Sequence, residues 1–184
     1  MRATENLMQD HRVIELVLPA VERLGRGAQR GKLTDRVAGE MAIAFLQVFA
    51  DAYHHGKEEL HLFKAMEHRG VPRDLGLVYH LLEEHGRGRK HVRALAGSLA
   101  AAAEGDPDAA ATFASNAGAY AKLLGHHIRE EDAELWPLAS RVLTEDDDAS
   151  LIENFAEVEH KTLGDGGEAS YREQAGQIAQ RVGL

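Results

Sequence analysis

The sequence predicts an all-α fold: an up-down-up-down four-helix bundle with two additional C-terminal helices. Three observations predict it. Alanine, leucine, glutamate and arginine dominate while β-branched runs are scarce, which favours helix throughout. Apolar residues recur at helical spacing over long stretches. Those stretches are separated by short breaks rich in glycine and proline, so consecutive helices should run antiparallel. The 184 residues fit one domain with a sizeable core. We read 1–184 as a single domain, with the bundle over 4–143 and a helical extension over 144–184.

The first helix is expected to begin near Thr4 or Asn6, both good cap residues. Leu7, His11, Ile14 and Leu18 form its apolar stripe, Pro19 should kink it or mark its last turns, and Gly25, Gly27 and Gly31 should break it. Thr34-Asp35 opens a second helix running to about His68, with Ile43, Gln47, Ala50, His54, Glu58, His61 and Ala65 along one face. Gly70-Val71-Pro72 closes it. A third helix is expected from about Pro72 to Glu104, burying Val78, Leu81, His85, Val92 and Leu95. Gly86 and Gly88 flank His85 and either cost stability or let a neighbour approach closely.

Gly105-Asp106-Pro107 stops that helix and starts a fourth, covering about 107 to 143. Its inner face carries Phe113, Tyr120, Leu124, His127, Glu131 and Leu135, and Pro137 should bend it. A fifth helix is expected from Thr144 to Leu163, with the acidic run Glu145 to Asp148 at its positive end. A sixth should fill 168 to 182 after a glycine-rich turn. The last two are expected to pack across the bundle or against an equivalent subunit, the latter giving a homodimer.

Composition narrows the function. There is no cysteine, which excludes disulfides, iron–sulfur clusters and thiolate zinc sites. A net charge of −9 argues against nucleic-acid binding, and the cluster Arg87, Arg89, Lys90 and Arg93 reads as a solvated helix face. No stretch approaches a membrane-spanning length and the start lacks a signal-peptide core, so the expected location is cytoplasmic, with no membrane partner.

What remains is histidine next to carboxylate. Six His-x-x-x-Glu pairs occur where frequencies alone predict about one. His54/Glu58 recurs as His127/Glu131 at an offset of 73 positions, and His11 maps near His85 at an offset of 74. The halves of the bundle are therefore pseudo-symmetric. One helical turn separates each His from its Glu, so both side chains reach a common centre. Imidazole nitrogen with carboxylate oxygen suits iron, manganese or zinc. His11, His54, Glu58, His85, His127 and Glu131 together offer four nitrogens and two carboxylates, enough for two metals that keep open positions. His55/Glu59 and His126/Glu130 are set aside because the chosen pairs have apolar or small neighbours one turn away. A lone histidine in an apolar stripe is ordinarily a core residue, but buried imidazoles and carboxylates matched across a bundle need partners. Glu59, Glu130, His68, His80 and His91 are expected at the surface, and Tyr120 in the core or hydrogen-bonded to a ligand.

At these residues the chain resembles the hemerythrin-like, or HHE cation-binding, family. The matching pieces are Gln9-Asp10-His11-Arg12, the run from His54 to Phe63, Glu83-Glu84-His85, and the run from His127 to Pro137. The resemblance implies a non-haem di-iron centre, oxo- or hydroxo-bridged, with His11, His54, His85 and His127 terminal and Glu58 and Glu131 bridging. It also implies a small diatomic or peroxide ligand: oxygen, peroxide or nitric oxide. One departure stands out. Oxygen-carrying members have a second histidine one turn after the first on the third helix, and here Arg89 occupies that position. The loss leaves a coordination position open and makes a pure reversible carrier a poorer fit.

Two other readings compete. A ferritin-like di-iron oxidase would use Glu58-x-x-His61 and Glu157-x-x-His160. A metal-binding module could hold zinc or a single iron without catalysis. Which ligand is physiological, and what His61 does, do not follow from the sequence.

Overall fold

The computed structural model describes residues 1–31 and 35–184. The described residues form six helices and no strand. The expected Thr34 start of the second helix lies outside them. α1 spans Arg2–Gln29. α2 runs through Arg36–Phe45, Leu46–His55, Glu58–Leu62 and Phe63–His68. α3 is Gly76–Ala103, and α4 runs through Pro107–Glu130, Glu131–Leu135 and Trp136–Val142. α5 is Glu145–Leu163 and α6 is Gly167–Arg181, joined by a short turn of 3-10 helix over Gly164–Gly166. The fold is an all-α helical bundle. α1 and α3 both pack on α4, and α2 lies against α1 and α3.

α1 corrects the sequence-based bounds. It starts at Arg2, before the expected caps, and continues through Pro19, Gly25 and Gly27. Gly25 is a packing device here and not a breaker. A Cβ on it would stand 2.7 Å from that of Ala117, so glycine lets α1 and α4 approach. The chain turns only at Gly31, whose φ of +66° lies in the left-handed region. α3 also begins later than expected, at Gly76, leaving Pro72 outside the helix. Gly88 permits a close approach: its Cβ position would lie 3.6 Å from the ring of Tyr120.

α2 departs most from simple helical geometry. Its buried positions include Leu46, Ala50, His54, Glu58, Leu62 and Met66, a strict spacing of four. In an α-helix four residues overshoot a turn by about 40°, so five such steps would carry the stripe roughly 200° round the axis. Leu46–His55 and Glu58–Leu62 are instead π-helical, with the wider i→i+5 bonding. The wider turns hold the stripe on one face. The same winding explains why Gln47 is exposed and His61 and Ala65 only half-buried, against the face drawn from a 3.6-residue period. Glu131–Leu135 repeats the π turn in α4, immediately before Pro137, which then sits in the first turn of the final α-helical segment.

The apolar core is in two parts. Val13, Phe49, Leu95, Phe113 and Leu124 belong to one. Leu7, Phe63, Leu81, Leu135 and Trp136 belong to the other. α5 adds Leu151 and Phe155 to the second, and α6 adds Ala175 and Ile178 to the first, where Tyr171 stacks on Phe49 at 5.5 Å. The C-terminal helices thus pack on their own bundle. Their buried apolar residues are used within the chain, so they offer no support for the expected homodimer. No helix among the described residues is long and apolar enough to cross a membrane.

α5 is anchored by a capping box. Thr144 Oγ1 accepts from the Asp147 N–H at 3.3 Å, while Asp147 accepts from the Thr144 N–H at 2.8 Å. Arg69, just past the end of α2, donates to Asp147 at 2.8 Å and holds its carboxyl down at about 2.

Three outcomes are expected in urea titrations, two from the glycine packing and one from the capping box. Gly25→Ala should destabilise the fold by about 1–2 kcal/mol through overpacking, although alanine is the better helix former. Gly118→Ala, with open space around it among the described residues, should stabilise by about 0.5–1 kcal/mol in urea unfolding. Asp147→Ala should cost about 1 kcal/mol at neutral pH. Because the folded-state pKa of Asp147 is depressed, its contribution is full above about pH 4. Wild type and variant should therefore converge as the pH falls through about 2.

Candidate metal centre

Between the two apolar cores lies a layer of buried histidine and carboxylate. His11 on α1, His54 and Glu58 on α2, His85 on α3, and His127 and Glu131 on α4 are all buried and meet there. The structure thus brings together all six residues of the leading ligand set.

The layer has two ends. At one, His11 Nε2 and His54 Nε2 stand 3.1 Å apart; at the other, His85 Nε2 and His127 Nε2 also stand 3.1 Å apart. Two nitrogens held at about 2.1 Å and at right angles on one ion would be separated by about 3 Å. Each carboxylate reaches both ends. Glu131 places Oε2 3.1 Å from His11 Nε2 and Oε1 3.2 Å from His127 Nε2. Glu58 places Oε1 3.6 Å from His54 Nε2 and Oε2 3.5 Å from His85 Nε2. None of these four buried oxygens makes a hydrogen bond. Buried carboxylates left this way are costly unless a cation satisfies them, so the donor set fits metal.

The Nδ1 side of each ring is held by a carboxylate. His11 Nδ1 pairs with Asp132 at 2.9 Å and His54 Nδ1 with Asp10 at 3.0 Å. His85 Nδ1 pairs with Glu59 at 2.7 Å and His127 Nδ1 with Glu84 at 3.0 Å. This turns every Nε2 inward and fixes the tautomer, as carboxylates do behind metal-bound imidazoles. The arrangement obeys the duplication. Asp10 precedes His11 as Glu84 precedes His85, and Glu59 follows Glu58 as Asp132 follows Glu131.

Electrostatics follow from the geometry. Burial and the neighbouring Glu131 push Glu58 well above the usual carboxylate range. Burial also opposes charge on Glu131, yet His127 and His11 hold it well below that range. Against burial, Glu131 and Glu84 carry His127 up to about 9. Burial and the charge of His11 keep His54 neutral, well below its usual value.

Several positions differ from expectation. Glu59 is half-buried, holding His85 and Arg89, and is not on a solvated face. Glu130 is half-buried beside His80, and His91 bonds Asn116 at 2.9 Å. His68 and His80 are exposed as expected. Arg89 points away from the layer, donating to Asp51 at 2.8 Å and Glu59 at 2.7 Å. His61 is half-buried and has no place in either buried cluster of ligand atoms, Glu157 of α5 pairs with Lys161, and His160 is exposed. Of the ferritin-like set only Glu58 enters the layer, and His61, Glu157 and His160 do not. His55, set aside from the sequence, is buried and lies against His85 and His127.

The sequence reading also missed the orienting carboxylates and Lys57. Lys57 is fully buried, ion-paired to Asp10, and lies 3.9 Å from the centre of the Tyr53 ring; it also donates to Asn6 at 2.7 Å. The duplication could have exposed the carboxylates, since its offsets align Asp10 with Glu84 and Glu59 with Asp132. Lys57 stands in the run that matches the family, but a lysine beside Glu58-Glu59 reads as a surface charge and gives no hint of burial.

Known proteins place this arrangement. The hemerythrin HHE cation-binding domain model matches residues 2–139, and the chain belongs to that family. It is also similar to the uncharacterized proteins Rv1995 and MT2051 of Mycobacterium tuberculosis and Mb2018 of Mycobacterium bovis. Each is 26% identical over 182 residues, covering 99% of this chain and 71% of the relative. No solved structure matches.

The buried pair of Lys57 and Asp10 yields a test on metal-free protein. Lys57→Met should cost about 3–5 kcal/mol in urea unfolding, because it leaves the Asp10 carboxylate buried without its cation. Combining it with Asp10→Asn should recover most of that loss, and a cycle showing simple additivity would contradict the pairing.

Proposed function

We propose that this chain holds a non-haem di-iron centre and uses it to bind or sense oxygen, peroxide or nitric oxide. His11, His54, His85 and His127 are its terminal ligands, and Glu58 and Glu131 its bridges. The observation that carries this reading is the pair of unpartnered carboxylates, each spanning from one pair of imidazole nitrogens to the other. Two iron ions held there would supply a redox couple and coordination positions for a small ligand.

The chain's own residues supply the rest. Asp10, Glu59, Glu84 and Asp132 fix ring orientation and keep Nε2 free to bind. The two apolar cores exclude water above and below the layer. A cavity of about 180 Å³ reaches His85 and His127 from between α2, α3 and α4, walled in part by Leu46, Val92 and Leu124. That volume admits a molecule of a few atoms. Tyr120 lines the cavity, and burial raises its phenol above the usual range, so it remains an O–H donor towards such a molecule. We read residues 1–184 as one domain, the bundle over 4–143 and the extension over 144–184, because α5 and α6 complete both cores.

Iron-loaded protein should bind two irons per chain, and its anaerobic absorption spectrum should change on exposure to oxygen, peroxide or nitric oxide. Glu84→Gln should weaken iron binding about 10–100-fold while leaving the helical content intact. Protein without stoichiometric iron, or a spectrum indifferent to all three ligands, would sink the proposal.

A further inference from the structure

We infer that His55 is a fifth imidazole ligand, completing the His85/His127 end of the centre in place of the third-helix histidine that Arg89 replaces. The inference rests on the di-iron reading above and adds an asymmetry: two imidazoles at the His11/His54 end and three at the other.

Three observations converge on it. First, His55 is almost fully buried, and its Nε2 has no hydrogen-bond partner. A histidine kept only for packing would have both ring nitrogens satisfied. Second, one ligand atom from each of His55, Glu58, His85 and His127 falls within a sphere of contact where all lie within 4.8 Å of one another. His11, His54, Glu58 and Glu131 form the matching group at the other end. Third, His55 has the same backing as the four other buried histidines. Asp51, one turn earlier, stands 3.3 Å from its Nδ1.

Arg89 accounts for the exchange. Its guanidinium bridges Asp51 and Glu59, the carboxylates behind His55 and His85. The residue that displaces a ligand therefore positions the carboxylates that orient two others. The rings of His55 and His85 stack at 3.8 Å and 15°, which puts the two imidazoles side by side at this end; a shared ion would require one ring to tilt out of the stack. His55 also breaks the duplication, since the position 73 residues on is Ile128. With His55 included, the end facing the cavity would offer three imidazoles and the His11/His54 end two.

The test is 15N-histidine-labelled wild-type protein loaded with cadmium-113. Five imidazole nitrogens should show coupling to the metal, one of them from His55. In parallel, His55→Gln should hold its second iron at least tenfold more weakly, with unchanged helical content before metal is added. Coupling at four nitrogens only, with His55 silent, overturns the inference while leaving the di-iron reading in place. So does a His55→Gln protein that holds both irons as tightly as wild type. A chain that takes up no metal overturns both. The labelled wild type decides the matter even where the variant does not fold.

Discussion

Everything in this bundle depends on one constraint: two carboxyl groups, Glu58 and Glu131, are buried at its centre with only the surrounding imidazoles beside them among the described residues. Such groups are among the most expensive to desolvate, and the surrounding structure is arranged around satisfying them. Imidazole nitrogens approach from four helices, and further carboxylates stand behind the rings. The apolar core is consequently divided, with one hydrophobic cluster on each side of the polar layer. Helices α5 and α6 extend both, which ties the last forty residues to the stability of the site.

The layer is a duplicated network. Each half of the bundle contributes a helix with an acid–histidine pair, Asp10-His11 or Glu84-His85, and a helix with a His-x-x-x-Glu-acid run, His54 to Glu59 or His127 to Asp132. The acid of each first helix holds the histidine of its own half's second helix. The acid after each central glutamate, Glu58 or Glu131, reaches a histidine on a different helix: Glu59 to His85 and Asp132 to His11. Those two crossing contacts lock the halves together. Symmetry is broken where charge differs. Lys57 pairs with Asp10 in the first half, whereas Glu130 stands at the matching position in the second. Arg89 and His55 break it again on the side open to the cavity.

Wider helical turns are part of the same solution. A π turn begins at each of Glu58 and Glu131, and a longer π stretch ends at His55 in α2. They let residues spaced by four remain on one face, so ligands and core side chains share a stripe. Wide turns of this kind concentrate at functional sites because they cost helix stability that ordinary packing has no reason to spend.

The sequence by itself determined the helix order, the all-α class and the six inward residues His11, His54, Glu58, His85, His127 and Glu131. Those follow from local spacing and from an internal repeat, which a chain carries in one dimension. Only the tertiary structure decided the rest. Gly25 reads as a breaker until Ala117 is seen beside it, and Lys57 reads as surface until Asp10 arrives from another helix. Glu59 and His55 look like the exposed halves of doublets while the turn is taken as 3.6 residues. In the folded protein the π winding and the contacts of Asp51, His85 and Arg89 draw both inward. The pairs Glu59–His85 and Asp132–His11 are separated by 26 and 121 residues, so the packing of distant helices settled what the sequence pattern left undecided.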